Sequence, residues 1–123
     1  MRRTLEALNA GDLDAVFECF HESCVFDGSR MAEGVYEGKD AFRGFLEGVL
    51  ESVAPQHREV ELREAEGRVI ATGRIEGTGR LSGAGVAMPV AYVYDFRDGL
   101  IARQTIYPEP GEAWAAIGQE PQR

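Results

Sequence analysis

The sequence predicts a single α+β domain over residues 1–123, with helices first and a curved antiparallel sheet after them. Before Pro55, apolar residues recur at helical spacing, most clearly as Phe42, Phe45, Leu46, Val49, Leu50 and Val53. After Pro55, apolar and polar residues alternate in runs separated by glycine-containing turns, which is a strand pattern. Gly73, Gly77, Gly79, Gly83 and Gly85 fall in the strand region, where glycine permits bulges and sharp curvature.

Residues 1–10 read as the tail of a first helix, with Leu5 and Leu8 on one face and Gly11 as its stop. Asp12 suits an N-cap for a short second helix, whose Leu13, Val16, Phe17 and Phe20 share a buried face. Cys24-Val25-Phe26 begins a short strand. Residues 28–38 hold Gly28, Gly34 and Gly38 and read as a loop, with a second short strand around Val35-Tyr36. The third helix carries Asp40 in its first turn, where a carboxylate suits the helix dipole, and Pro55 stops it. Strands follow over 58–65 and 68–76, joined at Glu66-Gly67, and Gly77 to Gly85 leads to a strand over 86–97. Asp98-Gly99 is a hairpin turn into a last strand over 100–107, and Trp114 and Ile117 lie on a C-terminal tail.

The composition narrows the function classes. Hydrophobic residues make up 44% of the chain, enough for an ordinary core, and the formal net charge is −8. Without a basic block, neither nucleic acid nor an anionic membrane surface is expected as a partner. Met1-Arg2-Arg3 begins like a signal sequence, but Glu6, Asn9, Asp12 and Asp14 interrupt any apolar run, so a cytoplasmic location is expected. Cys19, placed on the second helix, and Cys24, on a strand, read as free, small apolar residues. With His21 and His57 they supply no zinc pattern, so no metal or other cofactor is expected. His21 is placed after the second helix and His57 in a loop after Pro55, neither with an evident partner. Gly77 to Gly85 joins two strands, whereas a nucleotide-binding glycine loop joins a strand to a helix.

Three stretches carry a family resemblance: ALNAGDLDAVFECF over residues 7–20, YEGKDAFRGFL, and the run from GTGRLSGAGV to the C-terminal tail. Together they resemble the SnoaL-like (nuclear transport factor 2-like) superfamily. That resemblance implies a cone of curved antiparallel sheet around a cavity, closed by about three helices, and commonly a homodimer. Val93 and Tyr92, on opposite faces of one strand, suggest the sheet's outer face as the dimer surface. The superfamily hosts unrelated activities, so the fold does not settle the chemistry. The positions at which ketosteroid isomerases carry their Tyr, carboxylate base and protonated Asp fall on Thr4, Gly28 and near Tyr92. The last-strand Asp of polyketide cyclases and epoxide hydrolases falls on Ile106, which cannot move a proton. Asp95 and Arg97 share a strand face beside the hairpin turn and read as a solvated end. Glu109 reads as a cap for the tail.

Alternation puts Tyr92, Tyr94 and Phe96 on one strand face and Gln104, Ile106 and Pro108 on the matching face of the next. The resemblance makes this the cavity face, with Phe26 beside it. Tyr92, Tyr94 and Gln104 then read either as polar anchors for a ligand or as satisfied core groups. Asp27 is either an exposed loop carboxylate or, if a bulge turns it inward, a base working with Tyr92. Three functions follow: a binder of a small hydrophobic, carbonyl-bearing molecule; a cofactor-independent isomerase, cyclase or lyase using Asp27 and Tyr92; or a dimeric protein-interaction module with a filled pocket.

Overall fold

The computed structural model describes residues 2–31, 34–52, 55–65, 67–78 and 85–116. The predicted positions of Val53, Glu66, Gly79, Gly83 and Ile117 lie outside these. Helix α1 spans Arg2–Ala10 and ends where Gly11, at φ +75°, lets the Gly11 and Asp12 amides turn back onto the Leu8 and Ala7 carbonyls. Asp12 caps α2 (Leu13–Phe17) by accepting from the Ala15 amide at 3.1 Å. Strand β1 (Phe20–Asp27), a 3-10 turn (Ser29–Met31) and β2 (Val35–Glu37) lead to α3 (Lys39–Ser52). Strands β3 (Gln56–Ala65), β4 (Arg68–Thr78), β5 (Gly85–Arg97) and β6 (Leu100–Tyr107) follow, then α4 (Pro110–Ala116).

The six strands form one curved, open sheet in the order β2-β1-β6-β5-β4-β3. Four neighbouring pairs are antiparallel, but β1 runs parallel to β6, which the element order did not reveal. That pairing also extends β1 backwards. Phe20 pairs with Ile101, and the Ile101 amide donates to the Cys19 carbonyl at 2.9 Å. Phe20 therefore belongs to a strand instead of the second helix, His21 to the same strand, and Cys19 to the turn before it. The tail supplies a fourth helix among the described residues, with Pro110 in its first turn.

Helices α1 to α3 cover the concave face. Phe42 of α3 is buried and stacks on Phe26 with ring centroids 4.7 Å apart, while Phe45, Leu46, Val49 and Leu50 are half-buried beside it. The convex face has its own core, in which Ala113 and Trp114 of α4 cover Ile70, Ala91, Val93 and Tyr107. Val93, the residue that suggested a dimer surface, is thus buried by the chain's own α4. Asp98 (φ +54°) and Gly99 (φ +78°) make the predicted hairpin turn.

One irregularity governs the site. Between Arg58 and Glu61, β3 places two residues opposite the single Gly73 of β4, and Glu59 sits at φ +54°. A Cβ on Gly73 would lie 2.8 Å from the Arg58 carbonyl oxygen, so glycine is what lets this bulge close onto β4. The bulge shifts the alternation of β3 by one residue. His57 thereby joins Val60 on the concave side, although simple alternation would have turned it out.

Candidate functional site

The concave face and its helices enclose a cavity of about 270 Å³. Its sheet floor includes Phe26, Tyr92, Tyr94, Gln104 and Ile106, each placed there by alternation on β1, β5 and β6. The hairpin fixes the register: Tyr94 pairs with Gln104 and Tyr92 with Ile106. Helix α3 supplies the opposite wall, and Thr4, Leu5 and Leu8 of α1 close one side. The lining is mostly apolar, and its polar side chains are Thr4, His57, Tyr92, Tyr94 and Gln104.

His57 lies on β3, not in a loop, and it has partners. Its backbone N–H donates to Asn9 Oδ1 at 2.7 Å, and Asn9 Nδ2 donates to the His57 carbonyl at 3.2 Å. A backbone amide can only donate, so the Asn9 atom that meets it must be the oxygen. The same oxygen lies 3.3 Å from His57 Nδ1, which therefore carries the ring proton. His57 Nε2 is left as an acceptor, and the Tyr92 hydroxyl lies 2.8 Å from it and donates to it. Burial pushes the His57 pKa down to about 4, so the ring is neutral near pH 7. Ala71 and Gly73, both small and both on the concave side of β4, leave the gap over which the His57 and Tyr92 rings meet.

Tyr94 is buried, and its pKa is raised well above the ordinary phenol value by burial and, secondarily, by Tyr92. Neither the Tyr94 hydroxyl nor the Gln104 amide makes a hydrogen bond among the described residues, yet no buried side-chain polar atom is left unpaired. Both groups are therefore accessible from the cavity.

Asp27 is not in this site. Its neighbour Phe26 faces the cavity, so Asp27 faces outward, and no bulge reverses it. Asp27 Oδ1 accepts from the Ser29 hydroxyl at 2.6 Å and the Ser29 amide at 3.1 Å, and Arg103 Nη2 donates to Oδ2 at 2.7 Å. The Ser29 bonds first, and Arg103 with them, hold its pKa below the usual carboxylate value. Phe96 is also outside the cavity, at 39% exposure, near the Asp98-Gly99 end of the hairpin. Pro108 lies past the end of β6 and does not line the cavity either. Asp95 pairs with Arg68 across the sheet instead of with Arg97. Glu109 caps α4 through its carbonyl, which accepts the Glu112 amide at 3.0 Å.

Cys19 and Cys24 are free thiols, and Cys24 is core, its pKa raised chiefly by burial. Among the described residues, no group of three or more His, Cys, Asp or Glu could hold a metal ion. No described helix is long and apolar enough to cross a membrane.

Comparison with known proteins points one way. No curated protein matches the chain. A protein of Xanthomonas campestris pv. campestris, provisionally assigned as a polyketide cyclase, superposes with a TM-score of 0.80 at 26% identity, covering 94% of this chain and 91% of its own. A protein of Pseudomonas putida KT2440 with the same provisional assignment superposes with a TM-score of 0.80 at 19% identity, covering 98% and 94%. TerC, co-crystallised with polyporic acid, superposes with a TM-score of 0.74 at 18% identity, covering 94% and 92%. At 19% and 18% identity the last two show the shared fold alone. A family model described as "SnoaL-like domain" matches residues 1–104, and with the curved sheet and its cavity this shows that the chain belongs to the SnoaL-like domain family.

Proposed function

We propose that this chain binds a small hydrophobic molecule bearing a carbonyl or hydroxyl oxygen, with its apolar body against α3 and its oxygen beside Tyr94 and Gln104, while Tyr92, whose own proton is on His57, accepts from a ligand hydroxyl. The observation that carries this reading is an apolar cavity onto which the Tyr94 hydroxyl and the Gln104 amide open without a hydrogen-bond partner among the described residues. Apolar contact would supply most of the affinity, at roughly 25 cal/mol per Å² buried before ordering costs. Each polar anchor would add on the order of 1 kcal/mol. That TerC was co-crystallised with an organic acid is consistent with a ligand in a cavity of this fold. Catalysis through Asp27 is not carried forward, because its carboxylate faces away from the cavity. Pairing of two copies belongs to the same proposal, through what α4 leaves open of the outer face. The test is ligand-observed NMR with a panel of hydrophobic ketones and phenols. A bound compound should lose about 1 kcal/mol of affinity in Gln104→Leu. Affinity unchanged in both Gln104→Leu and Tyr92→Phe would refute the polar anchors.

A further inference from the structure

The cavity lining is not covered evenly along its length. Phe20, Phe26, Phe42 and Tyr94 are buried. Leu46, Val49 and Leu50 of α3, Ile75 of β4 and Met88 of β5 also line the cavity, yet they are only half-buried. Ile75 and Met88 are paired neighbours on the sheet, so this end is a mouth with α3 on one side and two strands on the other. Resting on the binding reading above, we propose that the second half of α3, residues 46–52, is a lid over this mouth, and that it bends outward at Gly44 and Gly48 to admit and release the ligand.

The anchors of α3 are placed for such a hinge. Lys39 pairs with Glu22 at 3.6 Å and Arg43 with Asp14 at 2.7 Å. Phe42 meets Phe17 and Phe20 edge-on, and Phe45 stacks on Phe26 and Tyr36. Among the described residues, the ion pairs and ring contacts that tie α3 to other elements come from these four side chains, all in its first half.

The two glycines are a second, independent observation. Neither has a positive φ, and beyond the helix's own backbone a Cβ on either would meet nothing within 4 Å. Neither conformation nor packing therefore requires glycine, although glycine inside a helix is less stable than alanine. Both are exposed, one turn apart, on the side of α3 away from its cavity-lining stripe. A bend toward solvent shortens that side, and without side chains there nothing crowds. The Arg43–Glu47 pair, at 3.3 Å, spans Gly44 on the surface and adds little resistance. A lid that opens alike in the empty and the loaded chain sets the rates of binding and leaves the affinity unchanged.

The experiment mixes the full chain with prodan, a naphthyl ketone whose emission moves to the blue in apolar surroundings, and follows binding by stopped flow. Gly44→Ala combined with Gly48→Ala stiffens the helix without touching the cavity lining. It should lower the association and dissociation rates together, each about 10-fold, with Kd within about twofold of the parent. Glu47→Gly, which adds a glycine between the two and removes the Arg43 pair, should raise both rates. Rates unchanged in the double alanine variant, or a change in Kd carried by dissociation alone, overturn the lid and leave the binding reading standing. A parent chain that does not shift prodan emission overturns the ketone part of the binding reading. Hydrogen exchange in the ligand-free chain then decides the lid by itself. The amides of residues 46–52 should exchange about 10-fold more slowly in the double alanine variant, and no slowing overturns the lid.

Discussion

Tyr92→Phe deletes the hydroxyl that donates to His57 Nε2 and leaves a buried acceptor without that donor. The fold should survive, with a loss of about 1–3 kcal/mol measurable by chemical denaturation. The same histidine makes stability depend on pH. Burial lowers its pKa from 6.5 to about 4, so between those values the unfolded chain binds a proton that the folded chain refuses. Stability is therefore full above pH 6.5, falls as the pH drops toward 4, and stops falling from this source below that. The whole effect is on the order of 3 kcal/mol. Denaturation at pH 7 and at pH 4.5 should show a smaller difference in His57→Gln than in the parent chain. Asp27 does not confuse the comparison: its pKa is lowered from 3.8, so its contribution is lost only at more acidic pH. At this scale Phe26, Tyr92, Tyr94, Gln104 and Ile106 were legible as one face, because period-two alternation and an Asp-Gly turn are local. His57 was not, because its inward direction depends on a bulge made against another strand.

That bulge belongs to the scale of elements. Gly73→Ala would put a methyl group 2.8 Å from the Arg58 carbonyl oxygen, which is backbone and cannot move aside cheaply. The substitution should cost about 1–3 kcal/mol and loosen His57 from Tyr92. In NMR spectra the His57 ring signals should shift in Gly73→Ala, and unchanged signals would contradict this account of the bulge. The glycine-rich strands announced curvature in the sequence, and Gly73 is where that expectation acquires a cause. Helix α3 was the clearest element in the sequence because its apolar stripe is periodic over its whole length. Strand β1 was started too late, because the residues that extend it, Phe20 onward, are held by a parallel partner more than seventy residues away in sequence.

Across the whole molecule, the sheet has two cores, one shared with the cavity and one under α4. Trp114→Ala should cost about 3–5 kcal/mol and uncover Ile70 and Val93. Sedimentation should then show stronger self-association than the parent chain, and none would mean that this apolar face is not adhesive when bare. The parent chain is expected to sediment as a dimer at micromolar concentration, and a monomer there would remove pairing from the proposal. By itself the sequence determined the α+β class, the order of helices and strands, the main hairpin and the set of side chains facing one way on β5 and β6. These rest on interactions between residues near each other along the chain, which leave periodic traces. Only the tertiary structure decided the parallel seat of β1, the outward Asp27, the burial of Val93 under α4 and the meeting of His57 with Tyr92. Each of these depends on contacts between segments distant in sequence, where the outcome is set by which surfaces fit and which backbone groups find partners, and no period along the chain records that.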